Sequence, residues 1–318
     1  MSGMRRTVFA LAIALCFAVP AALGHNAYVM SLLVSALTVA GVALAWALLG
    51  NLGGMVSFGH AAFFGVGGYA SALLSMKLDL PVLLSIPLAG LIAVVFSMAM
   101  LPALRLSGPY FALAILAYAQ IFRILATEME FLTHGSGGIS QIPTLPVIDD
   151  FDLGSRSGQY MLLLALLAAF LYAYDAIRRS HYGIALRAMH DSEDATRVVG
   201  VNSVLLKSWM LFVSAFMTGI FGAVNAHVIN FLEPDYAFAG SWSVLPIVAA
   251  IFGGYRTITG PAIGAVVIYM LDQLVFKNMV STGHQIILGT VLALTILFAP
   301  DGLLPLLFKR RRSGDRHA

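Results

Sequence analysis

Charge is what this chain has least of. Asp, Glu, Lys and Arg together make up 10% of its 318 residues, against 60% hydrophobic residues. A water-soluble domain carries about a quarter of its residues charged, so composition excludes one here. Cysteine is scarcer still. The single thiol, Cys16, lies inside an apolar run, which excludes an intrachain disulfide and leaves the redox compartment unread. Histidines do not stand at ligand spacing, His181 and His190 being nine positions apart, so no metal site is expected. The nucleotide-binding pattern G-x-x-x-x-G-K-[ST] is missing, because the cluster Gly253-Gly254-Tyr255-Arg256-Thr257 lacks its lysine. With no Ser–His–Asp, HExxH or paired-carboxylate arrangement either, the chain is read as a non-enzyme that binds no cofactor. Any energy has to come from elsewhere.

What the chain has is apolar length. Several runs reach the span of a bilayer, about 20 residues, and predict an all-α, polytopic transmembrane helical bundle filling residues 1–318 as one domain. The run Thr7 to Leu23, after Met4-Arg5-Arg6, reads as a retained span in preference to a signal peptide cleaved near Ala21-Ala22-Leu23-Gly24. Further spans are expected at Tyr28 to Leu49, Met55 to Met76, Pro81 to Leu104, Pro109 to Thr127 and Gln159 to Ile177. Trp209 to Asn230, Trp242 to Phe252, Thr259 to Phe276 and Gln285 to Phe308 complete about ten crossings. The Trp242 run, about 17 Å as a helix, suggests a broken helix.

Cations set the orientation. Arg5, Arg6, Arg105, Arg256, the tail Lys309 to Arg316 and five cations between residues 178 and 207 fall on one side. Only Lys77, Arg123, Arg156 and Lys277 fall elsewhere, and such a bias marks the cytoplasmic side. Both termini are therefore expected inside. Topology also accounts for the pI near 9.0 better than nucleic-acid binding does.

Two polar segments interrupt the spans. Residues 128–158 form the expected external loop, with breakers at Gly135 to Gly138, Pro143 and Pro146 and the acidic pair Asp149-Asp150. Its Ile139, Ile142, Leu145, Val147 and Ile148 predict packing, as a lid or a docking rim for an outer partner. Residues 178–207 form the expected cytoplasmic loop, read as two short helices. Tyr182 to Met189 is the first; Asp191 is expected to cap the second, Ser192 to Val199, and Gly200 to stop it in a left-handed turn. A capped helix pair of this length suits docking better than mere connection.

Glycine gathers where a path could lie. Gly53, Gly54, Ser57, Gly59 and His60 stand in one apolar stretch, and Gly253, Gly254 and Gly260 in another 200 residues on. Small residues permit close helix packing, or an unwound backbone lining a cavity. The two stretches can be set side by side as a repeat with broken helices, and the count of crossings makes them parallel. His60 is either a hydrogen-bonded structural residue or a functional one. Asp272 and Arg123 are the clearest deep charges.

The segment from Gly183 to Lys207 resembles the cytoplasmic coupling loop of LivM-type permease subunits of branched-chain amino acid ABC importers. Ser57 to Gly65, Leu106 to Leu113, Gly253 to Gly264 and Ala299 to Leu304 resemble other segments of that family. The resemblance implies a second, LivH-like permease, two ATP-binding subunits that use the ATP, and a periplasmic substrate-binding protein, in a bacterial inner membrane. It also implies that Arg187, Asp191, Glu193, Asp194 and Arg197 supply polar contacts to an ATPase, Leu186 and Val198 apolar ones, with Gly200 as the stop. Cargo would be leucine, isoleucine, valine or a related small amino acid, acid or amide. The residues themselves also allow an ion-coupled carrier centred on Asp272, or a membrane scaffold that transports nothing.

Overall fold

A computed structural model describes residues 16–106, 108–149, 151–198, 200–279, 283–299 and 302. The expected tail cations and most of the Thr7 to Leu23 run lie outside these residues. The principal helices are Ala27–Gly53 (α1), His60–Lys77 (α2), Val82–Ser97 (α3), Pro109–Glu128 (α4), Arg156–Arg179 (α5) and His181–Asp191 (α6). Glu193–Val198 (α7), Ser203–Ile229 (α8), Ser241–Gly253 (α9), Gly260–Leu271 (α10) and His284–Phe298 (α11) follow. Tight 3-10 turns extend α3 through Arg105, and a π-helical turn extends α10 through Phe276.

Local chemistry sets the ends. Asn26, Ser155, Ser180 and Asn202 each accept a backbone N–H from three residues on, starting α1, α5, α6 and α8. Gly54, Gly254 and Asn230 stop α1, α9 and α8 in left-handed turns. The Asn202 cap places the start of α8 at Ser203, where Trp209 was expected. The third expected span begins at His60, not Met55, because residues 54–59 are unwound.

Six helical segments among the described residues are long and apolar enough to cross a bilayer. They are α1, α3 with its 3-10 extension, α4, α5, α8, and α9 together with the helical turn at Pro234–Ala237. That last addition lengthens the short Trp242 run to 20 residues. Of the other spans expected, α2 loses its first turn to the break, and α10 and α11 are shorter apolar helices. The chain is a multi-pass helical membrane protein.

The helices pack as an inner and an outer set. The most apolar window of α1 is 89% buried, whereas those of α4 and α5 are 33% buried. A helix that is apolar on all sides belongs inside. Beside α1, α8 packs along α2 and α3. Between α2 and α8 the backbones nearly touch: a methyl group on Gly67 would collide with the Gly219 carbonyl, and one on Gly222 with the Phe64 carbonyl. A polar bond closes each end of this contact. His60 of α2 meets Ser214 of α8 at 2.9 Å, and Ser71 of α2 meets His227 of α8 at 2.8 Å.

The loop of residues 128–158, expected outside, is knitted to the bundle. Ile139–Ser140 (β1) pairs antiparallel with Phe231–Leu232 (β4), and Val147–Ile148 (β2) with Phe151–Asp152 (β3). Ile139, Ile142 and Leu145 are buried as expected, whereas Val147 and Ile148 are exposed. His227 Nδ1 donates to the Pro143 carbonyl at 2.7 Å, and Asn230 Nδ2 to that of Ile142 at 2.9 Å. The loop is therefore an ordered cap over the α2–α8 pair.

Substituting Gly67 by Val should force those backbones apart and lower stability by about 1–3 kcal/mol. A drop in the unfolding midpoint of the detergent-purified protein checks this. Gly240→Ala, at a position with open space around it, should leave the midpoint unchanged.

Candidate coupling surface and translocation path

The loop of residues 178–207 folds as two helices on a buried footing. Leu186 and Met189 of α6 are 1% and 4% exposed, turned into the protein against α1 and α5. Helical spacing puts Ile184 on the opposite face, and it is 60% exposed. Leu186 therefore anchors α6 instead of facing outward, while Tyr182, Ile184 and Val198 are the exposed apolar groups. Arg187 lies back along its own helix, donating to the carbonyls of Gly183 and Arg178. Asp191 is the last residue of α6, and Ser192 makes the cap that was expected of it. Ser192 has the extended backbone a cap requires, and its hydroxyl accepts from Ala195 N at 3.3 Å. Gly200 provides the expected left-handed stop at φ +88°.

Glu193 ties the second helix down. Its carboxylate oxygens accept from Arg197 and from Lys207, each at 2.7 Å, and Arg197 Nε also reaches the Ser203 hydroxyl. The Lys207 ammonium holds the Glu193 carboxyl below the ordinary carboxylate range against partial burial, with Ser203 and Arg197 adding to the effect. Asp191, Asp194 and Arg197 remain exposed, so the outward face of α6 and α7 is charged with a few apolar side chains.

That loop rests directly on a break in the bundle. Past Gly53 the chain turns at Gly54 (φ +65°), and a methyl group there would lie 2.6 Å from His190 Nδ1 of α6. Residues 55–59 then run back unwound between the helices until α2 begins. Trp46 of α1 donates its indole N–H to the Ser57 carbonyl at 2.9 Å, and the Ser57 hydroxyl accepts from Gly59 N at 3.2 Å. Gly59 itself is pressed against Ile115 of α4. The break opens into a cleft of about 850 Å³ lined by Gly54, Phe58, Leu106, Phe111, His190 and Lys207.

The same device recurs 200 positions on. There α9 ends at Gly253, Gly254 turns at φ +98°, and α10 begins at Gly260. Thr257 takes the part of Ser57, accepting from Gly260 N at 3.0 Å. Both breaks lie at the inner end of α1, where Trp46 meets the Tyr255 ring at 6.2 Å and Asn51 Nδ2 donates to the Tyr174 hydroxyl and the Arg256 carbonyl. The helices before the two breaks, α1 and α9, therefore pack together and end side by side, with the hydroxyl bond two residues long at Ser57 and three at Thr257.

Of the path candidates, Gly53 and Gly54 line the cleft, while Ser57, Gly59, His60, Gly253, Gly254 and Gly260 are buried in the joints around it. Ser214 spends its proton on the Ala45 carbonyl, so His60 Nε2 donates to Ser214 Oγ. His60 Nδ1 is then a bare acceptor with no hydrogen-bond partner among the described residues. This is the geometry of a latch between helices. Sequence reasoning passed over Trp46, Asn51, Tyr174 and Ser192. Only Ser192 had a local signal, a serine at the start of a short acidic helix; the others act through contacts more than ten residues away. It also passed over Gln120, exposed on α4 and bonded to Arg123, which pairs with Asp235 at 2.7 Å. Among the described residues no group of His, Cys, Asp and Glu could hold a metal ion.

Glu193→Gln should loosen α7 from α8, raising amide exchange across residues 193–207 at neutral pH, whereas Asp194→Asn should not. A carboxyl held low contributes fully at neutral pH. Its contribution is lost as pH falls through that lowered value, so acidification should mimic Glu193→Gln only below the ordinary carboxylate range.

The model of one protein family, described as branched-chain amino acid transport system / permease component, matches residues 28–299. High-affinity branched-chain amino acid transport system permease protein LivM of Salmonella typhimurium and its namesake in Escherichia coli are each 28% identical to this chain over 280 residues. Each match covers 80% of this chain and 65% of the relative, so the chain spans just under two thirds of those proteins. LivH, a second permease protein of Salmonella typhimurium, is 23% identical over 294 residues, covering 84% of this chain and 91% of LivH. No solved structure matches the chain at a significant level. With the family model covering most of the chain, this protein belongs to the permease components of branched-chain amino acid transport systems.

Proposed function

We propose that this chain is one permease subunit of an ABC importer, moving branched-chain amino acids or a related small amino acid, acid or amide inward. Two separate subunits bind and hydrolyse the ATP, and a LivH-like permease completes the channel. A periplasmic binding protein delivers the cargo to the face capped by residues 128–158. The membrane is a bacterial inner membrane, crossed about ten times, with both termini cytoplasmic.

The contact between α6 and the Gly54 break is the observation that carries this reading. An ATPase gripping the exposed charged face of α6 and α7 would move a body braced by Leu186, Met189 and the Glu193 ion pairs. His190 passes that motion straight to the unwound residues 54–59, which can rearrange without breaking helical hydrogen bonds. The parallel break at 254–259 shares the same footing on α1 and moves with it.

Removing both stops of α7 by Ser192→Ala with Gly200→Val should therefore leave the subunit inserted and ATP hydrolysed, while uptake into vesicles falls about tenfold or more; the lost cap alone costs about 1 kcal/mol. Mild-detergent purification should bring down two P-loop ATPases and a second permease. Asp272, the one buried carboxylate among the described residues, distinguishes an ion-coupled carrier. Uptake that follows ATP and survives Asp272→Asn supports the importer; uptake that follows an ion gradient and dies with Asp272→Asn refutes it.

A further inference from the structure

The backbones of α3 and α4 stand apart beyond the short corner that joins them, and across the gap they meet through the edge-on rings of Phe96 and Phe122, 5.7 Å apart. The gap between them, floored by α2, holds a cavity of about 270 Å³ lined among others by Leu73, Ile92, Phe96, Phe122, Leu125 and Phe238. Phe96 and Leu125 at its mouth are 44% and 45% exposed, on faces turned to the bilayer. Its two hydroxyls are already committed: Tyr69 donates to the Leu232 carbonyl, and Thr133 to those of Ala126 and Met129. An amino acid's ammonium or carboxylate would find no partner there, and burying either unpaired is prohibitive. Only hydrocarbon fits.

Directly above the cavity stands Lys77, one of the few cations that topology leaves on the outer side. It ends α2 one turn beyond Leu73 and Leu74, and Nζ donates to the Phe131 carbonyl beside Leu132, a wall residue. Lys77 is exposed, takes part in no salt bridge among the described residues, and has two N–H groups beyond the one it spends.

We propose that this is a lipid site: one acyl chain of an outer-leaflet phospholipid fills the gap between α3 and α4, with its phosphate on Lys77. The chain would touch Phe238, which stacks on Tyr69 and presses on Gly65 of α2. The lipid thereby supports the helix that carries the break.

The test uses the full-length protein with its partner subunits, in nanodiscs containing phosphatidylglycerol with a photoreactive group midway along one acyl chain. Mapping the labelled peptides by mass spectrometry should find the label concentrated on residues 66–74 and 122–132. Leu125→Trp, at the exposed mouth, should cut that labelling several-fold, and Lys77→Ala about fivefold, the worth of one cation at a charged membrane surface. Label spread evenly over the bilayer-facing helices of the wild-type protein would overturn the proposal. So would protection of the site by free leucine, which would make it a substrate pocket, or labelling indifferent to both variants.

Discussion

Everything in this molecule hangs on how closely α2 can approach α8. Neither helix gains from hydrophobic burial against lipid, since lipid tails are as apolar as side chains, so backbone contact and interhelical hydrogen bonds have to hold them. Gly67, Gly219 and Gly222 make the approach possible, and the reciprocal His–Ser bonds fix its register at both ends. The exchange is symmetric in chemistry: α2 offers His60 and Ser71, and α8 answers with Ser214 and His227. A slide of one helix along the other would break both of these buried bonds.

That fixed pair lets the neighbouring backbone be irregular. Residues 54–59 and 254–259 are unwound inside the bundle, which is tolerable only where protein groups or a wet cleft satisfy the freed amides and carbonyls. Trp46, Ser57 and Thr257 satisfy some of them, and the 850 Å³ cleft borders the first break at Gly54 to Val56 and Phe58. The two breaks converge on the end of α1, so this deeply buried helix is also the hub that both unwound segments share.

The coupling loop meets the same hub from outside. Its inner face is apolar and buried, and its outer face charged and free, with one ion-paired carboxylate between them. Two bonds tie this body to α8: Glu193 bridges to Lys207 directly, and Arg197 adds a bond to Ser203. The loop of residues 128–158 is held in its own way, by His227 and Asn230 on the carbonyls of residues 143 and 142.

Sequence alone was enough to determine that this is a helical membrane protein and where its two ordered loops lie. Those facts follow from hydropathy and charge, which are properties of neighbouring residues. The two-helix coupling loop and its stop at Gly200 were equally legible, because caps and left-handed glycines are local. Tertiary structure alone decided that Leu186 points inward and Ile184 outward, that His60 is a latch, and that the two glycine breaks meet at the end of α1. Each of those depends on which helix lies opposite: a glycine reads the same whether it meets a carbonyl, a ring or a cleft, and only the partner across the gap tells them apart.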